Sequence, residues 1–311
     1  MSRAEVPELL PLKPRALRKG DCVGVIAPAG VVDEKALRRG CRAIESLGYI
    51  VKFAPSILDR DGYFAGSVAR RVGELHAMFA CDDVAAVVCA RGGYGCSHLL
   101  PHLDLGLLKS KPKILIGYSD ITTLLTFLAD EGLTVFHGPM ASIDFARKDG
   151  VDLASWQTVL GGGELWAKFA AKDGVEIVRR GSAEGVFYGG CLSLLEASLG
   201  TPFEIETNGK ILLLEDTGAH PYQIDRMLTH LRQAGKLEEV AALVLGHFGV
   251  AHEELHFALR SALEGLDVPI VCGLPAGHVK TGNLTLPVGV RCALKAAAGR
   301  VELRFEKAVR E

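Results

Sequence analysis

The stretch Lys113-Ile114-Leu115-Ile116-Gly117-Tyr118-Ser119-Asp120-Ile121-Thr122-Thr123-Leu124-Leu125 decides how the rest of the chain is read. Its apolar run at 114–116 is too short for a helix and suits a buried strand. Gly117 permits a sharp turn. After Ser119, Asp120 is placed to cap a helix whose apolar positions are Ile121, Leu124, Leu125 and Leu128. Strand, tight turn with a serine, then helix is the geometry of a nucleophile elbow. It lifts a hydroxyl out of a sheet and leaves the next backbone N–H free to stabilise an oxyanion. The match to G-x-S-x-G is incomplete, because Ile121 stands where the second glycine belongs. On these residues alone, a plain helix-capping role for Ser119 and Asp120 stays open.

The 311 residues are 49% hydrophobic and 23% charged, which suits an ordinary globular protein of about two domains. A net charge of −2 argues against nucleic acid or an anionic membrane as partner. The eight cysteines show no C-x-x-C spacing and sit mostly in apolar runs, so reduced, buried thiols and a cytoplasmic protein are expected. Residues 1–21 contain no apolar core of a secretory signal, and no apolar run is long enough to span a bilayer.

Upstream of the elbow, residues 22–30 read as a buried strand ending in small residues. Helical spacing follows through Ala36, Cys41, Ile44 and Leu47, and then a strand at 49–53. This order implies parallel strands with crossover helices. A helix at 67–80 leads to a strand at 84–90, which ends in Arg91-Gly92-Gly93-Tyr94-Gly95-Cys96. Glycines at a strand's C-terminal end are where an open α/β sheet binds its ligand; a plain glycine-rich turn is the alternative. A strand at 133–136 closes on His137-Gly138-Pro139-Met140. The looser stretch 141–174 is where the domain boundary is drawn, giving domains 1–163 and 164–311. Beyond it, short strands are predicted at 175–178, 185–188, 211–214, 241–246 and 268–272, with closing strands at 284–290, 293–297 and 301–305. Helices are predicted at 192–199, 221–234 and 252–266. More antiparallel pairing is expected here than in the first half.

A serine nucleophile needs a base within hydrogen-bond reach and a carboxylate to orient that base. Glu215 follows a buried strand, where a carboxylate is costly unless paired; capping of the 221–234 helix by Glu215 and Asp216 is the competing reading. His137, His247 and His278 each stand just beyond a strand, and the residues do not choose among them. His252-Glu253-Glu254-Leu255-His256 matches the zincin pattern H-E-x-x-H. However, the face through His252 and His256 continues to Arg260, while the apolar stripe is Leu255, Leu259, Ala262, Leu263 and Leu266. The face therefore reads as solvated, and no metal site or cofactor is predicted.

Seven stretches in order together resemble one family: Ala90-Arg91-Gly92-Gly93-Tyr94-Gly95, Gly117-Tyr118-Ser119-Asp120, His137-Gly138-Pro139, Gly189-Gly190-Cys191-Leu192-Ser193-Leu194-Leu195, Leu214-Glu215-Asp216, Pro221-Tyr222-Gln223-Ile224-Asp225-Arg226-Met227-Leu228 and Gly273-Leu274-Pro275-Ala276-Gly277-His278. They span about residues 23–290. The family is that of the LD-carboxypeptidases, or muramoyltetrapeptide carboxypeptidases. The resemblance implies a serine peptidase with Ser119 as nucleophile, His278 as general base and acid, and Glu215 as the orienting carboxylate. The oxyanion hole would use the backbone N–H of Asp120 and one from Gly92 or Gly93. The resemblance also implies a flavodoxin-like, parallel-sheet N-terminal domain related to class I glutamine amidotransferases. A smaller, β-rich α/β C-terminal domain would carry the Glu and His, and the chain would form a homodimer.

The expected reaction is release of the terminal D-alanine from a murein tetrapeptide in peptidoglycan recycling, with Arg91 and Tyr94 as substrate contacts. Two places depart from the family's pattern. Cys191 stands where many relatives carry Asn, and Thr217-Gly218-Ala219-His220 stands where relatives often have another acid. Two alternatives remain. One is a microcin-immunity-type serine hydrolase cleaving a peptide-nucleotide antibiotic, for which no base-stacking aromatic stands out. The other is a non-catalytic module that binds a small anion.

Overall fold

The computed structural model describes residues 11–311. The expectation of no secretory signal rests partly on residues 1–10, which lie outside the described residues. The first half builds β1 (Cys22–Ile26), α1 (Glu34–Ser46), β2 (Ile50–Lys52), α2 (Val68–Ala80), β3 (Val84–Cys89), α3 (Leu105–Ser110), β4 (Ile114–Gly117), α4 (Thr122–Asp130) and β5 (Val135–His137). These strands run parallel in the order 2-1-3-4-5, the flavodoxin-type order, whose switch point lies between β1 and β3. All six residues of β3 are buried, as a strand covered on both faces requires. Helix ends follow local chemistry: the Asp33 carboxylate accepts from Ala36 N at 2.7 Å and the Ser67 hydroxyl from Arg70 N at 3.2 Å.

The second half contributes α5 (Leu153–Leu160), β6 (Trp166–Ala170), β7 (Glu176–Arg179), β8 (Gly181–Cys191), α6 (Leu192–Ala197), β9 (Lys210–Glu215), α7 (Pro221–Gln233), β10 (Ala242–Leu245), α8 (His252–Ala262), β11 (Ile270–Cys272), β12 (Leu286–Val288), β13 (Val290–Ala297) and β14 (Arg300–Phe305). The second sheet has the order β6-β14-β13-β8-β9-β10-β11-β7. Strands β8 to β11 are parallel and the flanking pairs antiparallel, so the expected rise in antiparallel pairing is present.

Two details differ from the sequence reading. The stretch read as loose contains α5, capped by Asp152 accepting from Ser155 N at 2.7 Å, and β6. Short elements set among glycines carry too few turns for a periodic signal. The strand read at 284–290 ends earlier, as β12, which pairs antiparallel with β5 of the first sheet. Val290 instead begins β13, which takes in the strand read at 293–297 and pairs with β8 of the other sheet. Gly289 turns the chain between them at φ 83°. The chain thus returns once to the first sheet after leaving it. Buried side chains of both halves merge into two continuous clusters, one holding α1 and α5, the other the remaining helices.

Gly40 shows how tightly α1 is seated. A Cβ there would lie 1.7 Å from the Ala141 carbonyl oxygen, whereas one at Gly73 of α2 would meet nothing within 4 Å. Gly40→Ala should therefore destabilise the fold by about 2–3 kcal/mol through overpacking. Gly73→Ala should stabilise it by about 0.5–1 kcal/mol through helix propensity. Urea denaturation of the two variants reads the opposite signs; an unchanged midpoint for Gly40→Ala would contradict the packing.

Candidate active site

Ser119 sits immediately beyond β4 with φ 64°, a left-handed conformation that a non-glycine residue adopts only when its surroundings impose it. The turn 119–121 is a single 3₁₀ turn that runs into α4. Ile121, Leu124, Leu125 and Leu128 are all fully buried, which seats the helix as the apolar spacing predicts. The capping expectation is corrected. No side chain caps α4, and the Asp120 carboxylate instead accepts from Cys96 N at 2.9 Å. The buried acid is spent on holding the glycine-rich turn after β3 against the elbow. Arg71, also buried, donates to Gly95 O and Pro28 O at 2.8 Å each and fixes the same turn from behind.

That turn approaches Ser119 closely. A Cβ on Gly92 would lie 2.6 Å from Ser119 Cβ and 3.3 Å from Asp120 N, so only glycine lets the two backbones meet. Gly93 has φ 132°. Arg91 donates through Nε to Gly92 O and through Nη1 to Val31 O, both at 3.1 Å, so half of its guanidinium braces the turn.

Glu215 ends β9, fully buried, and its Oε2 accepts from His278 Nδ1 at 2.7 Å and from His278 N at 3.1 Å. The approach is possible because residue 277 is glycine: at φ 82°, a Cβ there would fall 2.3 Å from the Glu215 carboxyl. Burial works against a charged imidazole at His278. The hydrogen bond to Glu215 and that carboxylate's charge, with Asp216 and Asp144 beyond, outweigh burial and hold the imidazole above its ordinary value of 6.5. The competing reading of Glu215 and Asp216 as helix caps does not hold. Asp216 accepts from Ser193 N and Thr217 N at 2.7 Å each, and at the start of α7 it is Gln223 that accepts from His220 N.

Ser119 and His278 line one cleft of about 450 Å³ together with Arg91, Gly92 and Gly93. Ser119 and His278 are not hydrogen-bonded to each other; the bonded chain of the site ends at the imidazole. Of the three strand-end histidines, His278 alone reaches this cleft. His137 is fully buried and pushed down to about 4 by burial, and His247 faces another groove. Tyr94 stands in the adjoining cavity of about 770 Å³, which shares Arg91 and Gly93 with the cleft. Cys191, in register with Glu215, is buried and donates its backbone N–H to Thr122 Oγ1 at 3.0 Å.

Several residues of the site escaped the sequence reading. The cleft carries two further cations, Arg147 and Lys280. Asp144, fully buried and pushed up to about 6 by burial, accepts from Met140 N at 2.8 Å, Asn283 Nδ2 at 3.3 Å and Tyr118 OH at 3.4 Å. Asn283 Oδ1 in turn accepts from Gly277 N at 2.9 Å, and the Tyr118 ring stands edge-on to His278 at 5.0 Å. Nothing in the spacing of 118, 144 and 283 signals that they meet. Tyr63 and Tyr94, with ring centroids 6.0 Å apart, line the adjoining cavity, so exposed aromatic surface does stand beside the cleft. Among the described residues no helix is long and apolar enough to cross a membrane.

Comparison with known proteins covers most of the chain. Residues 23–138 match the LD-carboxypeptidase N-terminal domain and residues 184–294 the LD-carboxypeptidase C-terminal domain. A probable murein peptide carboxypeptidase of Bacillus subtilis is 40% identical over 92% of each chain. The crystal structure of muramoyltetrapeptide carboxypeptidase from Oxalobacter formigenes superposes with a TM-score of 0.84 at 32% identity, covering 93% of this chain and 100% of that one. The microcin C7 self-immunity protein MccF superposes with a TM-score of 0.87 at 26% identity, covering 96% of this chain and 100% of that one. With both domain models matched in order and the elbow, glycine turn and Glu–His pair assembled around one cleft, this chain belongs to the LD-carboxypeptidase family of serine carboxypeptidases.

Proposed function

We propose that the protein releases the terminal D-alanine of murein tetrapeptides by hydrolysing the L,D amide bond, as a dimer in the cytoplasm, in the recycling of peptidoglycan. In this reading Ser119 attacks the carbonyl carbon. His278 takes the serine proton and later gives one to the leaving amine. Glu215 holds the tautomer and stabilises the imidazolium. The developing oxyanion is met by Asp120 N–H and by a backbone N–H of Gly92 or Gly93. The observation that carries the reading is the 2.7 Å contact between the buried Glu215 and His278 at the edge of the cleft that holds Ser119. Arg91, Arg147 and Lys280 give the cleft the sign needed for a peptide that ends in a carboxylate. Eight free cysteines suit a reducing compartment.

A second reading, cleavage of an acyl-nucleotide antibiotic, is favoured by Tyr63 and Tyr94 beside the cleft, which offer faces on which a base could stack. It ranks below the first because the relative at 40% identity is named for murein peptides.

Mass spectrometry of a murein tetrapeptide incubated with the wild-type protein should show loss of one alanine. Ser119→Ala should reduce kcat on the order of a million-fold. Near-normal turnover by Ser119→Ala would exclude the mechanism, and turnover of an aminoacyl sulfamoyl nucleotide in its place would favour the second reading.

The base must be neutral to accept a proton, and its pKa is raised. The acid limb of kcat/KM should therefore lie above 6.5, the ordinary histidine value. Glu215→Gln removes the nearest charge that holds the proton and leaves burial opposed only by the more distant carboxylates of Asp216 and Asp144. The limb should move to lower pH while the plateau falls on the order of 10⁴-fold. A limb that stays in place would separate Glu215 from the base.

A further inference from the structure

The zincin-like pair on α8 is not as isolated as the sequence makes it. The apolar stripe does face inward, with Leu255, Ala258, Leu259 and Ala262 buried, and His252 is 71% exposed. What the sequence does not reveal is Glu176, the first residue of edge strand β7, which arrives from 76 residues away. One carboxylate oxygen meets each imidazole: Oε2 lies 3.1 Å from His252 Nε2, and Oε1 contacts His256 Nε2. The two rings lie 4.2 Å apart, and the three candidate donor atoms all fall within 4.8 Å of one another.

The geometry points to a divalent transition-metal site formed by Glu176, His252 and His256, separate from the cleft of Ser119. Two neutral imidazoles and one carboxylate form an N₂O donor set that suits Zn²⁺, Co²⁺, Ni²⁺ or Cu²⁺ rather than Mg²⁺ or Ca²⁺. Donors at i and i+4 share a helix face, so bringing the three atoms to bonding distance of a common ion needs side-chain adjustment alone. A single carboxylate neutralises at most one imidazolium, whereas a dication uses both rings in their neutral form. Three protein ligands leave a coordination position for water.

The role is one of clamping rather than peptide hydrolysis. The ion would tie β7, the edge strand paired with β11, to α8. Glu176 is in register with Cys272 of β11, and β11 leads directly into the turn that carries His278. The inference does not rest on the carboxypeptidase reading.

The test uses the full chain, stripped with EDTA and desalted. Titration with Zn²⁺ against a chromophoric chelator should give one tight site per chain, and Zn²⁺ should raise the melting temperature. Glu176→Ala and the double variant His252→Gln/His256→Gln should each weaken the site roughly a hundredfold and abolish the thermal shift. His230→Gln, at another surface histidine paired with a glutamate, should leave both unchanged. Circular dichroism of each variant checks that the fold is retained. Stoichiometric binding undiminished in both variants, or no binding to the wild-type chain beyond that of the double variant, would overturn the inference.

Discussion

The contact between Glu215 and His278 is the constraint around which the rest of the molecule is arranged. A fully buried carboxylate costs several kcal/mol in lost hydration, and removing the partner of such a group typically costs 3–5 kcal/mol. Here a single residue supplies two donors, its ring Nδ1 and its own backbone N–H, to one carboxylate oxygen. The imidazole is therefore fixed in tautomer and direction. Two glycines make the burial sterically possible. A Cβ at 277 would collide with the carboxyl group, and one at 246 would come within 2.8 Å of Glu215 Cβ.

Bringing that pair opposite the serine is a matter of sheet topology. The C-terminal ends of β3 and β4 present the glycine turn and Ser119, and those of β9 and β11 lead to Glu215 and to the His278 loop. Open α/β sheets bind ligands at such ends. Here two sheets direct theirs into one cleft. Strand β12 follows the His278 loop closely and pairs with β5 of the first sheet. The loop is thus tied at both ends, by β11 to one sheet and by β12 to the other, and the two continuous buried clusters resist any separation of the halves.

Around this core of the site, buried carboxylates bond groups on other segments of the chain. Asp120 holds the glycine turn, Asp216 holds the start of α6, and Asp144 with Asn283 holds the His278 loop. The bonds Asp120–Cys96, Asp216–Ser193 and Asp144–Asn283 each join segments distant along the chain. The left-handed backbone of Ser119 persists for the same reason. Strain of about 1–3 kcal/mol at one residue is tolerated where the surroundings over-determine its conformation.

Much was legible in the linear pattern. Apolar runs ending in glycines fixed most strands of both sheets, the 114–125 stretch located the elbow, and the order of seven motifs pointed to Ser119, Glu215 and His278. Local chemistry carries this information, because strand period, turn residues and helix spacing act over a few residues. Strand-end placement by itself did not separate the three histidines; the motif order named His278, and the structure puts it in the cleft of Ser119. Only the tertiary structure decided that Asp120 reaches Cys96 instead of capping α4, and that Glu176 meets His252 and His256. It also decided that the closing strands serve different sheets, β12 the first and β13 the second. These outcomes depend on contacts between residues tens of positions apart, where side-chain type limits what can pair and the packing of whole elements settles what does.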